Sequence, residues 1–365
     1  MSYSLYFHVP FCKRKCDYCH FYVIPDEERF KDLYMEALQK EWEQKRSLLT
    51  GKSLVSVYFG GGTPTLLGPQ NISRILNWIQ PADSVEVTIE ANPEQLTLAL
   101  LKDYRAAGIN RLSIGVQSFE DPLLLILGRE HSSLKAYESV ETSSHAGFEN
   151  ISIDLMYDIP HQTKEQWENT LNRAFELPIT HLSLYNLTIE PHTVFFKKRK
   201  ALSPSLPPAE TSLWMLERAI LKTEEKGLRR YEISAFGYPS RHNMGYWTGR
   251  PFLGLGPSAY SYWEEARFRN LPNIHRYSKQ LAEGLSPVDL HEKLSPSAQA
   301  KELFAIRLRL LEGVPESFYK TLPEETFKCV DKWMECGWME KSEGVLRLTS
   351  QGLLFHDSVA EDCVE

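Results

Sequence analysis

No run of this 365-residue chain stays apolar for long. The most apolar internal stretch, DPLLLILG at 121–128, falls far short of the ~20 residues that span a bilayer as a helix. The opening MSYSLYFHVPFC lacks a basic n-region, and its short apolar run is broken by His8 and Pro10, so no secretory signal is expected. Excess positive charge is missing too. Forty-one Lys and Arg against 48 Asp and Glu leave a net charge of −7, which argues against a general binder of nucleic acid or anionic membrane. Internal repeats and low-complexity tracts are absent. Cysteine is scarce, six residues in all, and the expected setting is a reducing, cytoplasmic one in which a disulfide framework is excluded.

What is present is a regular alternation. Short β-rich segments at 4–9, 53–59, 84–90, 111–116, 150–156 and 181–187 are separated by helical periodicity at 27–48 and 163–177. PEQLTLALLKDYRAAG opens on Pro93 and ends on Gly108, as a helix should. Six strands alternating with helices predict an α/β fold with a parallel sheet. Glycines and polar residues cluster just after strands, in GGGTP (60–64), EANP (90–93) and GVQSF (115–119). A β/α barrel gathers such strand ends on one face, so a partial (β/α)6 barrel is favoured over an open sheet.

The barrel is expected over residues 1–240, a connecting segment over 241–297, and a small winged-helix-like α+β domain over 298–365. KKRKALSPSLPPAET (197–211) reads as a surface connection, its charge run as a solvated loop. Cys329 and Cys336 read as structural thiols and Cys363 as part of a loose tail.

The chemistry lies in FCKRKCDYCHF (11–21), where Cys12, Cys16 and Cys19 share one short loop after the first strand. Structural zinc takes four ligands, which His8 or His20 would have to complete. His20, adjacent to Cys19, is poorly spaced for that. A [4Fe–4S] cluster fits better: three thiolates leave one iron open to an outside ligand. Lys13, Arg14 and Lys15 lie between the thiols, where they can offset negative charge or simply face solvent. In GGGTP, glycine lets the backbone approach a ligand closely and present N–H donors. Glu90, at a strand end, suits ribose hydroxyls, or else a barrel-mouth ion pair.

C-x-x-x-C-x-x-C after a first strand resembles the signature of the radical S-adenosylmethionine (SAM) superfamily. NRLSIGVQSF, LGREH and DLMYDIPHQT resemble its coproporphyrinogen-dehydrogenase-like branch, over nearly the whole chain. The resemblance implies that the open iron binds the amino and carboxylate groups of SAM. It further implies that an electron from the cluster breaks a C–S bond, giving methionine and a 5′-deoxyadenosyl radical. Tyr6, Gly61, Gly62, Thr63, Glu90, Gln117, Arg129 and Asp154 correspond to SAM-contacting positions, and Tyr18 to an aromatic near a second SAM.

That branch holds both porphyrin-making dehydrogenases and heme chaperones. The dehydrogenases carry a further cysteine two positions after the third, where this chain has Phe21, and an extension before the first strand, which here starts near Met1. HNMGYW (242–247) resembles the H-N-x-x-Y-W segment of the chaperones, which implies His242 as a heme ligand with Tyr246 and Trp247 beside the porphyrin. The alternative for His242 is a hydrogen-bonded structural histidine. Two departures are His20, where chaperones often have Asp, and Tyr260, where histidine is frequent. The implied function is a heme chaperone delivering heme to acceptor proteins, served by an electron donor such as a flavodoxin or ferredoxin, with weak homodimerisation; the alternative is oxidative decarboxylation of coproporphyrinogen III.

Overall fold

The computed structural model describes residues 1–364; Glu365, the last residue of the expected C-terminal domain, lies outside them. Six parallel strands follow one another in space in chain order: β1 (Ser2–Val9), β2 (Ser53–Gly61), β3 (Glu86–Ala91), β4 (Arg111–Gln117), β5 (Asn150–Tyr157) and β6 (His181–Asn186). The helices between them are α1 (Glu28–Lys45), α2 (Pro69–Ile79), α3 (Leu98–Ala106), α4 (Asp121–Leu127), α5 (Ser133–His145) and α6 (Lys164–Glu176). Helix α3 starts at Leu98 rather than Pro93, because Thr97 caps it by accepting from Leu100 N, and Pro93–Gln95 forms a separate 3-10 turn.

Alternation along each strand divides the residues between two buried faces. On β1, Leu5, Phe7 and Val9 point outward beneath the helices, fully shielded from solvent. Each such side chain contributes about 1.5–3 kcal/mol by leaving water. Ser4, Tyr6 and His8 point inward, and so do Ser56 and Tyr58, Thr88 and Glu90, Ser113, and Asp154 on the following strands. The interior of the barrel is therefore polar while its outer wall forms the main apolar core.

Beyond β6 come α7 (Val194–Leu202), α8 (Ala209–Glu225) and an antiparallel hairpin, β7 (Arg230–Glu232) and β8 (Ala235–Gly237), that extends the sheet past β6. The KKRK run is thus helical, not a loop: Thr193 caps α7 by accepting from Phe196 N at 3.0 Å. Next, α9 (Arg241–Trp247) sits across the N-terminal ends of the strands. The chain then adds β9 (Phe252–Leu255), β10 (Tyr260–Trp263), β11 (Ala266–Asn270), α10 (Ile274–Ala282) and β12 (Val288–Lys293). β9 pairs in parallel with β1, and β10 to β12 follow antiparallel, giving the order β12-β11-β10-β9-β1-β2-β3-β4-β5-β6-β8-β7. The segment read as a connection is a third of this sheet. It is joined to α1 by Glu41, a fully buried carboxylate that accepts from Lys45 Nζ (2.6 Å), Gly256 N (2.8 Å), Asn270 Nδ2 (2.6 Å) and the Tyr277 hydroxyl (2.6 Å).

The remaining residues have their own core, around Phe304, Leu308, Val330, Trp333, Leu346 and Val359. It is built by α11 (Pro296–Arg307), α12 (Glu316–Tyr319), α13 (Glu324–Glu335), α14 (Ser350–Leu354), α15 (His356–Val364) and a three-stranded sheet of β13 (Val314–Pro315), β14 (Met339–Ser342) and β15 (Val345–Leu348). Cys363 is not in a loose tail: it is buried on α15 with its sulfur 2.7 Å from that of Cys329 on α13, while Cys336 is exposed. Among the described residues no helix is long and apolar enough to cross a membrane.

Candidate functional site

The C-terminal ends of β1–β6 surround a cavity of about 390 Å³. Cys12, Cys16 and Cys19 stand on its rim, in the loop that leaves β1, together with Tyr18. A short ladder and one further backbone hydrogen bond hold that loop. Phe11–Cys12 pairs in parallel with Ile24–Pro25, and Asp17 N donates to Leu127 O at 3.3 Å. The GGGTP backbone closes the other side, with Gly62 N donating to Val9 O (2.9 Å) and Thr63 N to Phe11 O (2.7 Å).

This use of the glycines differs from the expected one. Their N–H groups are already taken, Gly61 N by Glu90 Oε2 at 3.1 Å, so what the turn offers a ligand is its carbonyls and Thr63. Glycine is needed because Gly61 has φ +112° and a Cβ there would stand 2.6 Å from the His8 ring. A Cβ at Gly62 would stand 2.6 Å from Phe11 O. Gln117, also on the cavity wall, holds φ +66° at the end of β4, a strained backbone for a non-glycine residue.

Gly61, Gly62, Thr63, Glu90, Gln117, Arg129, Asp154 and Tyr18 all line the cavity. Tyr6 does not; it lies a layer below, its hydroxyl 3.1 Å from His8 Nδ1, and supports the wall. Asn92, Ser113, Met156 and Tyr185 were not singled out, although EANP contains the first and strand alternation points the others inward. Arg129 shows why Asn92 counts. Its Nη2 donates to Asn92 Oδ1 and Gly115 O, both at 2.7 Å, and Nη1 reaches Cys16 Sγ at 3.6 Å. One guanidinium thus joins the cysteine loop to β3 and β4.

Two acids face the cavity. Burial pushes Glu90 up to about 7, against the stabilising hydrogen bond of the Tyr58 hydroxyl at 2.8 Å. Burial likewise pushes Asp154 up to about 6. A cation close to either carboxyl favours its ionised form.

The thiols fit a cluster. Among the described residues no three of His, Cys, Asp and Glu surround a point that one metal ion could occupy. His8 is committed, its Nε2 to Tyr22 O at 2.9 Å, and His20 is exposed against Phe21. Neither histidine is thus offered as a fourth zinc ligand, whereas a cluster takes one thiolate on each of several irons. Burial raises Cys12 to about 11, which disfavours a bare thiolate here.

His242 is elsewhere. It lies on α9 at the opposite end of the barrel, 1% exposed. Ser56 Oγ, which donates to Ser4, is 2.9 Å from Nδ1, and the Tyr246 hydroxyl is 2.9 Å from Nε2. This network assigns the proton to Nδ1 and leaves the Nε2 lone pair to Tyr246. Both nitrogens are occupied, so the expected free imidazole for iron is not presented. Burial lowers the ring to about 3. On the far side of Tyr246 lies a second cavity, of about 250 Å³, lined by Trp247, Phe252, Tyr262, Arg250, Arg267 and Leu303 between the sheet extension and α11.

The family model of the radical SAM superfamily matches residues 6–174. The heme chaperone HemW of Bacillus subtilis (strain 168) is 35% identical over 98% of this chain and 97% of its own length. HemW of Escherichia coli (strain K12) is 30% identical over the same shares. The solved structure of coproporphyrinogen III oxidase (HemN) from Escherichia coli, a radical SAM enzyme, has a TM-score of 0.86 and 25% identity, covering 99% of this chain and 89% of that one.

Proposed function

We infer that this chain, which belongs to the radical SAM superfamily in its HemN/HemW-like branch, is a heme chaperone that binds a [4Fe–4S] cluster, SAM and heme and passes heme to acceptor proteins. The observation that carries this is the extent of the likeness to HemW relatives, which runs beyond the radical SAM region through α9, the sheet extension and the C-terminal core. Cys12, Cys16 and Cys19 hold the cluster, and when bound it supplies reducing power and one open iron position.

The chain's own groups then orient SAM. Glu90 accepts from its ribose hydroxyls, and the carbonyls of Gly61 and Gly62 with Thr63 take its amino group. Glu90 and Asp154 answer its positive charge, while Arg129 sits beside Cys16 to balance the negative side of the site. Gln117 and Tyr18 close the walls. The second cavity would hold heme, with Tyr246 and Trp247 offering aromatic faces to its ring and Arg250 and Arg267 offering cations to its propionates. Tyr246 holds His242 Nε2 at 2.9 Å, so His242 would be available to heme iron only if the Tyr246 hydroxyl withdrew.

The likeness to HemN supports a second reading, oxidation of coproporphyrinogen III in the first cavity. Phe21 weighs against it, standing 51% exposed at the mouth where the dehydrogenases carry a cysteine. Anaerobic reconstitution followed by parallel assays separates the two. The chaperone reading expects heme and SAM binding and heme transfer to an apo-acceptor, with no protoporphyrinogen IX formed. Sustained conversion of coproporphyrinogen III overturns it.

A further inference from the structure

The chain carries a net charge of −7, yet cations gather around the cysteine loop. Lys13, Arg14 and Lys15 are all exposed on it. Helix α7 places Lys197–Lys200 beside them, every one exposed and with no acidic residue on the helix. The two groups are held together, not merely near in sequence numbering. Phe195 N donates to Asp17 O at 3.0 Å, Lys198 Nζ is 3.8 Å from the Asp17 carboxylate, and Phe195 and Tyr18 share one small apolar core. Phe21 rises on the same loop, half exposed, with its carbonyl held by Lys15 Nζ at 2.8 Å.

We propose that this cationic rim, formed by the cysteine loop and α7, is the docking surface for an acidic electron-donor protein that reduces the cluster. The proposal rests on the cluster part of the reading above. From below, the cavity is shut off by the polar layers of the barrel and by α9, so a donor has to approach over the loop that carries the thiols. A rim of seven cations around a partly exposed aromatic offers such a donor steering from a distance and an apolar contact on arrival. Four of the cations belong to a helix that supplies nothing to the cavity wall, and among the described residues only Lys198 of the four has an acidic partner, Asp17. In the transfer one electron leaves the donor's reduced flavin and one enters the cluster; no bond forms or breaks.

The test uses the full chain, reconstituted with cluster, and flavodoxin hydroquinone as the acidic probe. Bleaching of the cluster absorption is followed by stopped flow over a range of salt concentrations, and binding of oxidised flavodoxin is measured by calorimetry. The wild-type rate is expected to fall steeply with salt. Lys197→Glu/Lys200→Glu is expected to slow it about tenfold or more at low salt and to weaken binding in parallel. Reduction by photogenerated deazaflavin radical, a small uncharged donor, is expected to be the same in both proteins. A flavodoxin rate indifferent to salt or to the double substitution overturns the proposal. So does a finding that α7 governs the affinity of a short RNA while flavodoxin kinetics stay unchanged. A cluster that deazaflavin also fails to reduce overturns the cluster reading itself and the docking surface with it.

Discussion

The two ends of the barrel use the same strand for opposite purposes. Glu86 and Glu90 lie on β3, both facing inward, four residues apart. At the lower end, Glu86 accepts from Arg241 N and His242 N, each at 3.0 Å, and so caps α9 where its N-terminal amides converge. Ser4, Ser56, His242 and Tyr246 complete a closed network there. At the upper end, Glu90 has one hydroxyl and one amide, and its remaining capacity faces a cavity. A polar interior becomes structural where a helix closes it and functional where none does. Residue type alone does not tell the two apart.

Substitutions at the two ends should separate binding from stability. The largest effect is expected from Cys16→Ala: iron content after reconstitution falls to background while the thermal midpoint of the apo-chain hardly moves. Glu90→Gln should weaken SAM about 100-fold, since a charge-assisted acceptor is worth roughly 1.5–3 kcal/mol, and leave folding intact; calorimetry decides. Glu86→Ala should do the reverse, costing about 2–3 kcal/mol in denaturant unfolding by freeing two amides of α9, with SAM affinity unchanged. If Glu86→Ala also abolishes SAM binding, the ends are coupled and the contrast fails.

The pH dependence offers a finer division. Glu90, raised to about 7, keeps a proton in the folded chain that the unfolded chain has released above about 4.5. Its contribution to stability therefore declines as pH rises across that window. His242, lowered to about 3, refuses a proton that the unfolded chain accepts below about 6.5. Its contribution declines as pH falls across that window. Apo-protein unfolding curves should show the first slope flattened by Glu90→Gln and the second by His242→Gln. The smallest effect is expected from Tyr246→Phe, which removes one hydrogen bond and costs about 1 kcal/mol. It should also expose Nε2 and tighten heme, read as a shifted Soret band that His242→Gln abolishes.

Much of this was legible because the signal was local. The six parallel strands announce themselves by alternation, and the cysteine loop and GGGTP turn each occupy a few consecutive residues. Eight of the nine residues assigned to SAM line one cavity, and the ninth, Tyr6, stands just beneath it. What escaped was decided by distant partners. Strand β9 is four residues long and exists because Phe252–Leu255 finds Ser4–Phe7. Helix α7 was hidden by the Pro and Ser that follow it, although Thr193 is an ordinary cap. The motif around His242 reads equally as a heme ligand or as a hydrogen-bonded structural histidine, because whether its ring nitrogens are engaged depends on how α9 seats against Ser56 and Glu86.

The carboxylate of Glu41 bears on how the chain is made. Three of its four partners, Gly256, Asn270 and Tyr277, lie 215 to 236 residues downstream. During synthesis α1 therefore leaves the ribosome with an acid paired only to Lys45 until the sheet extension arrives. A fragment ending at residue 240 would leave that carboxylate with Lys45 alone, three of its four hydrogen bonds unmade. The natural unit of folding is thus longer than the catalytic-looking half: the barrel is completed by its own late residues, and cutting after β8 yields a chain that waits for them.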